Sequence, residues 1–451
     1  MNYALKKGGD KMKKNTLYRL YSAAFIGICL VPAVCMPLSK TDGSKEKRKL
    51  AEFPKIKTEE GELNSQFFSQ FDDWFSEHFA FRQQMVTADG RLRAAVLGTS
   101  PNEDVIVGSD GWLYYGETAA DYLRTDTLTQ QGIDNIVHNL DLINGYCQQN
   151  GIDFIFTCSP NKNTLYPENM PKNYVPSDNM SNYEMLSEKL ADREYYLDMK
   201  SALLGADASM PLYHKTDTHW NNMGAYVGHT AIMSKLGRES CPVGTSWSVK
   251  NDRLGDLAAM IYPAEDAKDA QLYCDHEFTY QYLGHFRALD DVSIKTSSES
   301  GQGELTMYRD SYGEAILPFM AETFASAEFS RAVPYIIDGL NNRTLIIEIV
   351  ERNLGNLQKY APVMTAPETD GEGTAECADA DIHTEQYGPY MHIFGTVPEY
   401  SGRIFIKADG KVYEAFNCFE DKLLGCEGER NDCGFSAYIQ SAEDISVLVK
   451  N

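Results

Sequence analysis

Three short apolar runs set the strongest limit on how this chain can fold. "IDFIFTCSP" (152–160), "ELTMY" (304–308) and "RTLIIEIVER" (343–352) are of strand length and bounded by turn or polar residues. Their near-continuous hydrophobicity is that of strands buried on both faces. Helical spacing separates them. Ile133, Ile136, Val137, Leu140 and Ile143 recur at intervals of three and four before Asn150-Gly151, and "MGAYVGHTAIMSKLG" and "GEAILPFMAETFA" have the same helical character. The alternation predicts an α/β fold, a mainly parallel sheet flanked by helices, with its chemistry in loops at the carboxyl ends of strands.

The N-terminus obeys a different pattern. Lys6, Lys7, Lys11, Lys13, Lys14 and Arg19 precede an uncharged stretch from Leu20 to Ser39, long enough to cross a hydrocarbon core as a helix. Basic residues on the near side predict a cytoplasmic tail over 1–19, a transmembrane anchor over 20–39 and an extracytoplasmic remainder. No small-x-small cleavage site follows the apolar run, so an uncleaved single-pass cell-membrane anchor is expected, with a cleaved signal peptide as the alternative. The 41 basic residues against 65 acidic ones leave a net charge of −24. That charge opposes binding to nucleic acid or to an anionic membrane surface.

A polar stalk is expected over 40–60, and a catalytic body over 61–358. At the start of that body, Phe67, Phe71, Trp74, Phe75 and Phe79 recur at helical spacing, which reads as a buried core stripe rather than a lipid or cofactor surface. "VIVGSDGWLYYG" then reads as a hairpin. Residues 359–388, acidic and rich in Pro and Gly without a hydrophobic period, read as a linker. Beyond it "HIFGTV", "RIFIKADGKVYEAF", "GFSAYIQ" and "ISVLVK" predict a small β-domain over 389–451. None of the ten cysteines forms a C-x-x-C pair, which argues against structural zinc. Cys418, Cys426 and Cys433 are close enough in sequence for a disulfide, with the pairing open.

The chemistry centres on "YHKTDTHW" and "LTMYRDSYGEA". In extended chain, residues two apart point the same way, so Asp217 can orient His219 and stabilise its imidazolium. A nucleophile is still needed, and Ser311 stands between an apolar run and a helix that begins near Gly313. Amides at such a turn face any oxyanion formed on the serine's substrate; the competing role for Ser311 is a helix cap. His214, Asp217 and His219 are also metal-capable types, but no further ligand at regular spacing extends them, and neither metal nor cofactor is called for. His229 is placed on a helix face.

"YHKTDTHWNNMGA" and "MYRDSYGEAILPF" resemble the two signature blocks of the alginate O-acetyltransferase family, also known as DHHW proteins, whose catalytic domain is SGNH-hydrolase-like. The resemblance runs from about Phe67 to Leu357 and takes in "SEHFAFRQQMV", "SPNKNTLYPENMP" and "LIIEIVERNL". It implies a triad of Ser311 as nucleophile, His219 as general base and Asp217 as its partner. The chain also has the family's order, Asp and His before Ser, although Tyr312 stands where Phe is commoner. The expected reaction is transfer of acetyl through an acetyl-serine to a hydroxyl of a cell-surface polysaccharide, with a multi-pass membrane-bound acyltransferase supplying the acetyl group. Oxyanion donors are expected at the Ser311 amide and at Tyr312 or Gly313, and Asn161 is a further candidate whose competing role is an Asx turn. Lys162 and Tyr166 are expected to line the site, and Trp220 to pack beneath His219 rather than stack on sugar. The rival functions are an acetyl esterase of the same fold and a catalytically idle glycan-binding scaffold.

Overall fold

The computed structural model describes residues 2–38, 50–58, 61–244, 246–266, 268–341, 343–398, 402–418 and 433–450, of which 2–15 and 38 by backbone only. Most of the expected stalk, and Cys426, lie outside the described residues. The chain divides into two compact units.

The first unit comprises 1–115, 215–217 and 253–269. It opens with the helix Asn2–Cys35, whose segment Thr16–Cys35 is long and apolar enough to cross a membrane by length and composition, with a mean hydropathy of 1.6. The expected hairpin is present, Val105–Val107 pairing antiparallel with Leu113–Tyr115. Its turn carries Asp110 and Gly111 at φ of +52° and +81°, left-handed conformations that these two residue types favour. Val105 and Leu113 pack with Leu257, Ile261 and Tyr262 to form the core of this unit.

The aromatic stripe departs from expectation. Its residues do lie on the helix Phe67–His78 and at its end, but no residue of that helix is buried. The hairpin and the helix Asp256–Ile261 fill the unit's core without it. The rings contact one another instead, Phe71 stacking between Phe67 and Phe75 at centroid distances of 6.3 Å on each side.

The second unit, 116–214, 218–252 and 270–451, holds a seven-stranded sheet. Its order is Tyr196–Leu197, Asp153–Ser159, Thr344–Val350, Glu304–Tyr308, Ser326–Ser330, Ser293–Ser297 and Gln281–Leu283. The first five strands run parallel and the last two are antiparallel at one edge. The three apolar runs around 152–160, 304–308 and 343–352 sit side by side in it, and Thr344–Val350 is buried along its whole length. Ile133, Ile136 and Leu140 of the helix Gln130–Gln149 pack against Phe156, Leu345 and Ile347. The fold is therefore the expected α/β arrangement, with a mainly parallel sheet and small accessory sheets.

Residues 359–388 are not a structureless linker. They contribute the strands Glu368–Thr369, Ala375–Glu376 and Asp381–Tyr387, which lie at the edges of a five-stranded and a four-stranded sheet. Edge strands expose most of their side chains and tolerate charge, so this stretch carries strands without an apolar period. Those sheets enclose Ile393, Ile404, Ile406, Phe435 and Val447.

One close approach governs the segment that carries the signature histidine. A Cβ placed on Gly224 would stand 2.4 Å from the Leu212 carbonyl oxygen and 3.0 Å from Cβ of Trp220. Backbone cannot yield as a side-chain tip can, so Gly224→Ala is expected to lower stability by about 1–3 kcal/mol through overpacking. Urea denaturation of the two proteins checks this; equal midpoints would show that the approach is not tight.

Candidate active site

The strand Glu304–Tyr308 ends at its carboxyl edge in Arg309-Asp310-Ser311-Tyr312, and the helix Gly313–Thr323 begins at once. The turn is held from inside. Asp310 accepts the Tyr312 amide through Oδ1 at 2.9 Å and the Val350 amide through Oδ2 at 2.6 Å, tying the turn to the neighbouring strand. Arg309 is buried and packs where a side chain on Gly313 would go: its Cδ lies 2.4 Å from the position of an added Cβ. Ser311 remains half-buried.

The histidine arrives from the other signature block. Tyr213 and Trp220 form an antiparallel bridge, and the His214 amide donates to the His219 carbonyl at 3.2 Å, so the intervening residues form a tight loop. Three contacts then hold the His219 segment to the serine turn. Trp220 Nε1 donates to the Tyr312 carbonyl at 2.9 Å, the Tyr312 hydroxyl donates to the Thr218 carbonyl at 2.9 Å, and the His219 and Tyr312 rings are 5.1 Å apart. The result is a distance of 2.9 Å between His219 Nε2 and Ser311 Oγ.

Asp217 falls in the first unit and is fully buried. Arg253 approaches its Oδ2 with Nη2 at 2.8 Å and Nε at 3.0 Å. A carboxylate taken out of water needs such a partner. Nothing in the sequence pattern singled out Arg253, because 36 residues separate it from Asp217.

The other expected residues take more definite roles. Tyr312 is buried, and its amide is engaged by Asp310, so that amide is not an oxyanion donor. Gly313 opens the helix, where amides precede the first intrahelical bond. Asn161 is buried at the carboxyl end of Asp153–Ser159; its amide donates to Glu351 at 2.8 Å and its side-chain NH₂ to Asp121 at 3.1 Å. Its donor thus meets a carboxylate rather than standing open for a substrate oxygen. Lys162 is buried with Nζ on the His214 carbonyl at 3.1 Å, and the Tyr166 hydroxyl accepts the Leu212 amide at 2.8 Å. Both therefore hold the histidine segment. Trp220 is buried. So is His229, whose Nε2 accepts the Cys241 amide at 2.9 Å and whose pKa burial lowers to about 3, keeping the ring neutral.

Behind the serine turn lie carboxyl groups that sequence reasoning passed over. Glu348 and Glu351 are buried. Ser159 Oγ donates to Glu348 at 2.6 Å, and Thr164 Oγ1 to Glu351 at 2.6 Å. Burial, then the charge of Asp310, pushes Glu348 well above the usual carboxylate range. Burial also raises Glu351 to about 7 and Asp121 to about 6. The signal was available: "RTLIIEIVER" sets two acids in an otherwise apolar run, and buried strand carboxyls gather near functional sites.

Parts of this chain are similar to known proteins. Residues 105–282 match the family described as SGNH hydrolase-like domain, acetyltransferase AlgX. The match includes Asp217 and His219 and stops before Ser311. The chain is 25% identical over 186 residues to the probable alginate O-acetylase AlgJ of Azotobacter vinelandii, covering 40% of this chain and 45% of the relative. It is 27% identical over 140 residues to the protein of that name in Pseudomonas syringae pv. tomato, covering 30% and 34%. The chain thus spans less than half the length of these relatives. Similar solved structures include Bacillus cereus PatB1, at 14% identity over 56% of this chain and 97% of that one with a TM-score of 0.43. The O-acetyltransferase domain of Pseudomonas putida AlgJ is 16% identical over 56% and 93%, with a TM-score of 0.38.

Two consequences are measurable. Tyr312→Phe keeps the ring and leaves the Thr218 carbonyl without this donor, which costs about 1–3 kcal/mol when the acceptor stays dry; urea denaturation reads the loss, and an unchanged midpoint would assign the hydroxyl no structural role. Glu351 binds its proton more tightly folded than unfolded, so stability falls as pH rises from its usual 4.5 to about 7. The fall is about 3 kcal/mol at 1.36 per pH unit. Glu351→Gln is expected to flatten that slope in unfolding curves measured between about pH 4.5 and pH 8, whereas parallel slopes in the two proteins would refute the assignment.

Proposed function

We propose that this protein is an extracytoplasmic O-acetyltransferase that moves an acetyl group through an acetyl-serine to hydroxyls of a cell-surface polysaccharide. The observation that carries this reading is the 2.9 Å approach of His219 Nε2 to Ser311 Oγ at the carboxyl end of a parallel strand. The match of residues 105–282 to a family described as acetyltransferase supports it, as do relatives named alginate O-acetylase. The basic tail and apolar first helix support an anchored chain with its body outside the cytoplasm.

In this reading Ser311 Oγ attacks the acetyl carbonyl as His219 Nε2 takes its proton. The tetrahedral oxyanion faces the amides of Ser311 and Gly313. Collapse expels the donor's leaving group, which receives the proton from His219. A sugar hydroxyl then attacks the acetyl-serine, giving its proton to His219, which returns it to Ser311 Oγ as the acyl bond breaks. Asp217 is the acidic member of the triad, holding the imidazole in its working tautomer, and Arg253 balances the charge of that carboxylate. Acetyl-CoA is cytoplasmic, so a membrane-bound acyltransferase would have to pass the acetyl group outward.

The test uses the full-length chain in detergent with p-nitrophenyl acetate, wild type beside Ser311→Ala, followed by intact mass and an oligosaccharide acceptor. An acetyl adduct on wild type alone, discharged to sugar faster than to water, is expected. His219→Ala should slow adduct formation by about 10²–10⁴. Release to water with no sugar product would make the protein an esterase, and an equal adduct on Ser311→Ala would remove the serine from the mechanism.

A further inference from the structure

We infer that the helix Phe67–His78 is a membrane-interface helix, lying with its aromatic face in the headgroup region of the bilayer that holds the first helix. The inference rests on reading Thr16–Cys35 as a membrane anchor, and it concerns a surface that the acetyl-transfer reading leaves without a role.

The helix separates its residues cleanly. At about 100° per residue, Phe67, Phe68, Phe71, Trp74, Phe75 and His78 occupy an arc of about 120°. Ser69, Gln70, Asp72, Asp73, Ser76 and Glu77 fill the rest. The apolar arc is open: Phe68 is 82% exposed and Phe71 37%, and Phe53, which packs edge-on to Trp74 at 4.8 Å, is 58% exposed. A soluble surface rarely carries so many exposed aromatic rings side by side.

The bilayer is identified as the occupant by where the helix is held. The Ala80 amide, just beyond the helix, donates to the Pro32 carbonyl at 3.3 Å. Pro32 lies one turn from the end of the apolar segment at Cys35. If that segment spans the membrane, Ala80 sits at its boundary, and a 12-residue helix leading into Ala80 reaches at most about 18 Å from it at 1.5 Å per residue. Phe81 continues the surface: it adopts φ of +65° and is 47% exposed. A bulky side chain in the left-handed region is costly, and here that conformation turns an aromatic ring outward at the same corner. Trp favours the headgroup level, and Trp and Phe line the apolar face of helices that lie in the interface. The polar arc bears Asp72, Asp73 and Glu77 and no Lys or Arg, so the contact is held by apolar burial, not by anionic lipid.

The experiment reconstitutes the full-length chain in phosphatidylcholine vesicles, with lipid nitroxides placed either near the headgroup or deep in the acyl chain. Wild type is compared with Trp74→Phe, so that the difference signal belongs to Trp74. The expected result is quenching of that signal by the shallow label more than by the deep one, unchanged in about 0.5 M salt, where charge contacts are screened. Phe68→Ser/Phe71→Ser should lose the quenching while still floating with the vesicles through the first helix. A chain that floats with an unquenched Trp74 overturns the inference and leaves the face to a protein partner. A chain that does not float overturns the anchor reading, and the inference with it.

Discussion

The approach of His219 to Ser311 depends on a reciprocal clamp between Trp220 and Tyr312. The indole N–H of one donates to the carbonyl of the other, and the Tyr312 hydroxyl returns the bond to Thr218. Both side chains are buried, so neither bond competes with water, and breaking either would strand a polar group in the interior. The two segments are 92 residues apart in sequence. Without the clamp, nothing local would bring His219 to Ser311. The position just after the histidine and the position just after the serine are thus coupled to the 2.9 Å approach of His219 to Ser311.

The same tryptophan narrows what the site can do with sugar. A ring that is buried and hydrogen-bonded is not a stacking platform, and Lys162 and Tyr166 are likewise spent on backbone groups of the histidine segment. Asn161 is held between Asp121 and Glu351. Lys162, Tyr166 and Trp220 therefore form a frame that holds the histidine segment. Glu348 and Glu351 are buried, which pushes both toward their neutral forms. Such a placement favours the neutral acid on both electrostatic and desolvation grounds.

Much of this was legible in the sequence, for identifiable reasons. Central strands such as Thr344–Val350 are buried on both faces, so they must be apolar almost throughout, and few arrangements besides a buried parallel strand produce that pattern at that length. Asp217 and His219 stand two apart and Ser311 stands at a strand-to-helix turn, patterns that made them candidates, and the fold brings His219 and Ser311 to 2.9 Å. Arg253 and Asp121 were not legible because their partners are set by tertiary contact, and a lone Arg or Asp in sequence is ordinarily a solvated one. The strands within 359–388 were hidden because edge strands carry little hydrophobic signal. Tyr312 as an oxyanion donor failed on a point that sequence cannot express: the Asp310 carboxylate, two residues back, turns inward to take its amide.

The aromatic stripe marks a different kind of limit. Periodicity reports that one face of the Phe67–His78 helix avoids water; it is silent on what replaces the water. A protein core and a bilayer interface impose the same 3.6-residue repeat, and the composition of the apolar arc does not separate them. What separates them is connectivity. If the apolar span is an anchor, a helix whose end is hydrogen-bonded to its last turn has its distance from the membrane fixed by that bond, whereas a helix of identical sequence placed deep in the chain's body would have to bury its rings against protein. Among the described residues the core of the first unit does not include those rings, and on the membrane-anchor reading the bond to Pro32 places the bilayer within their reach.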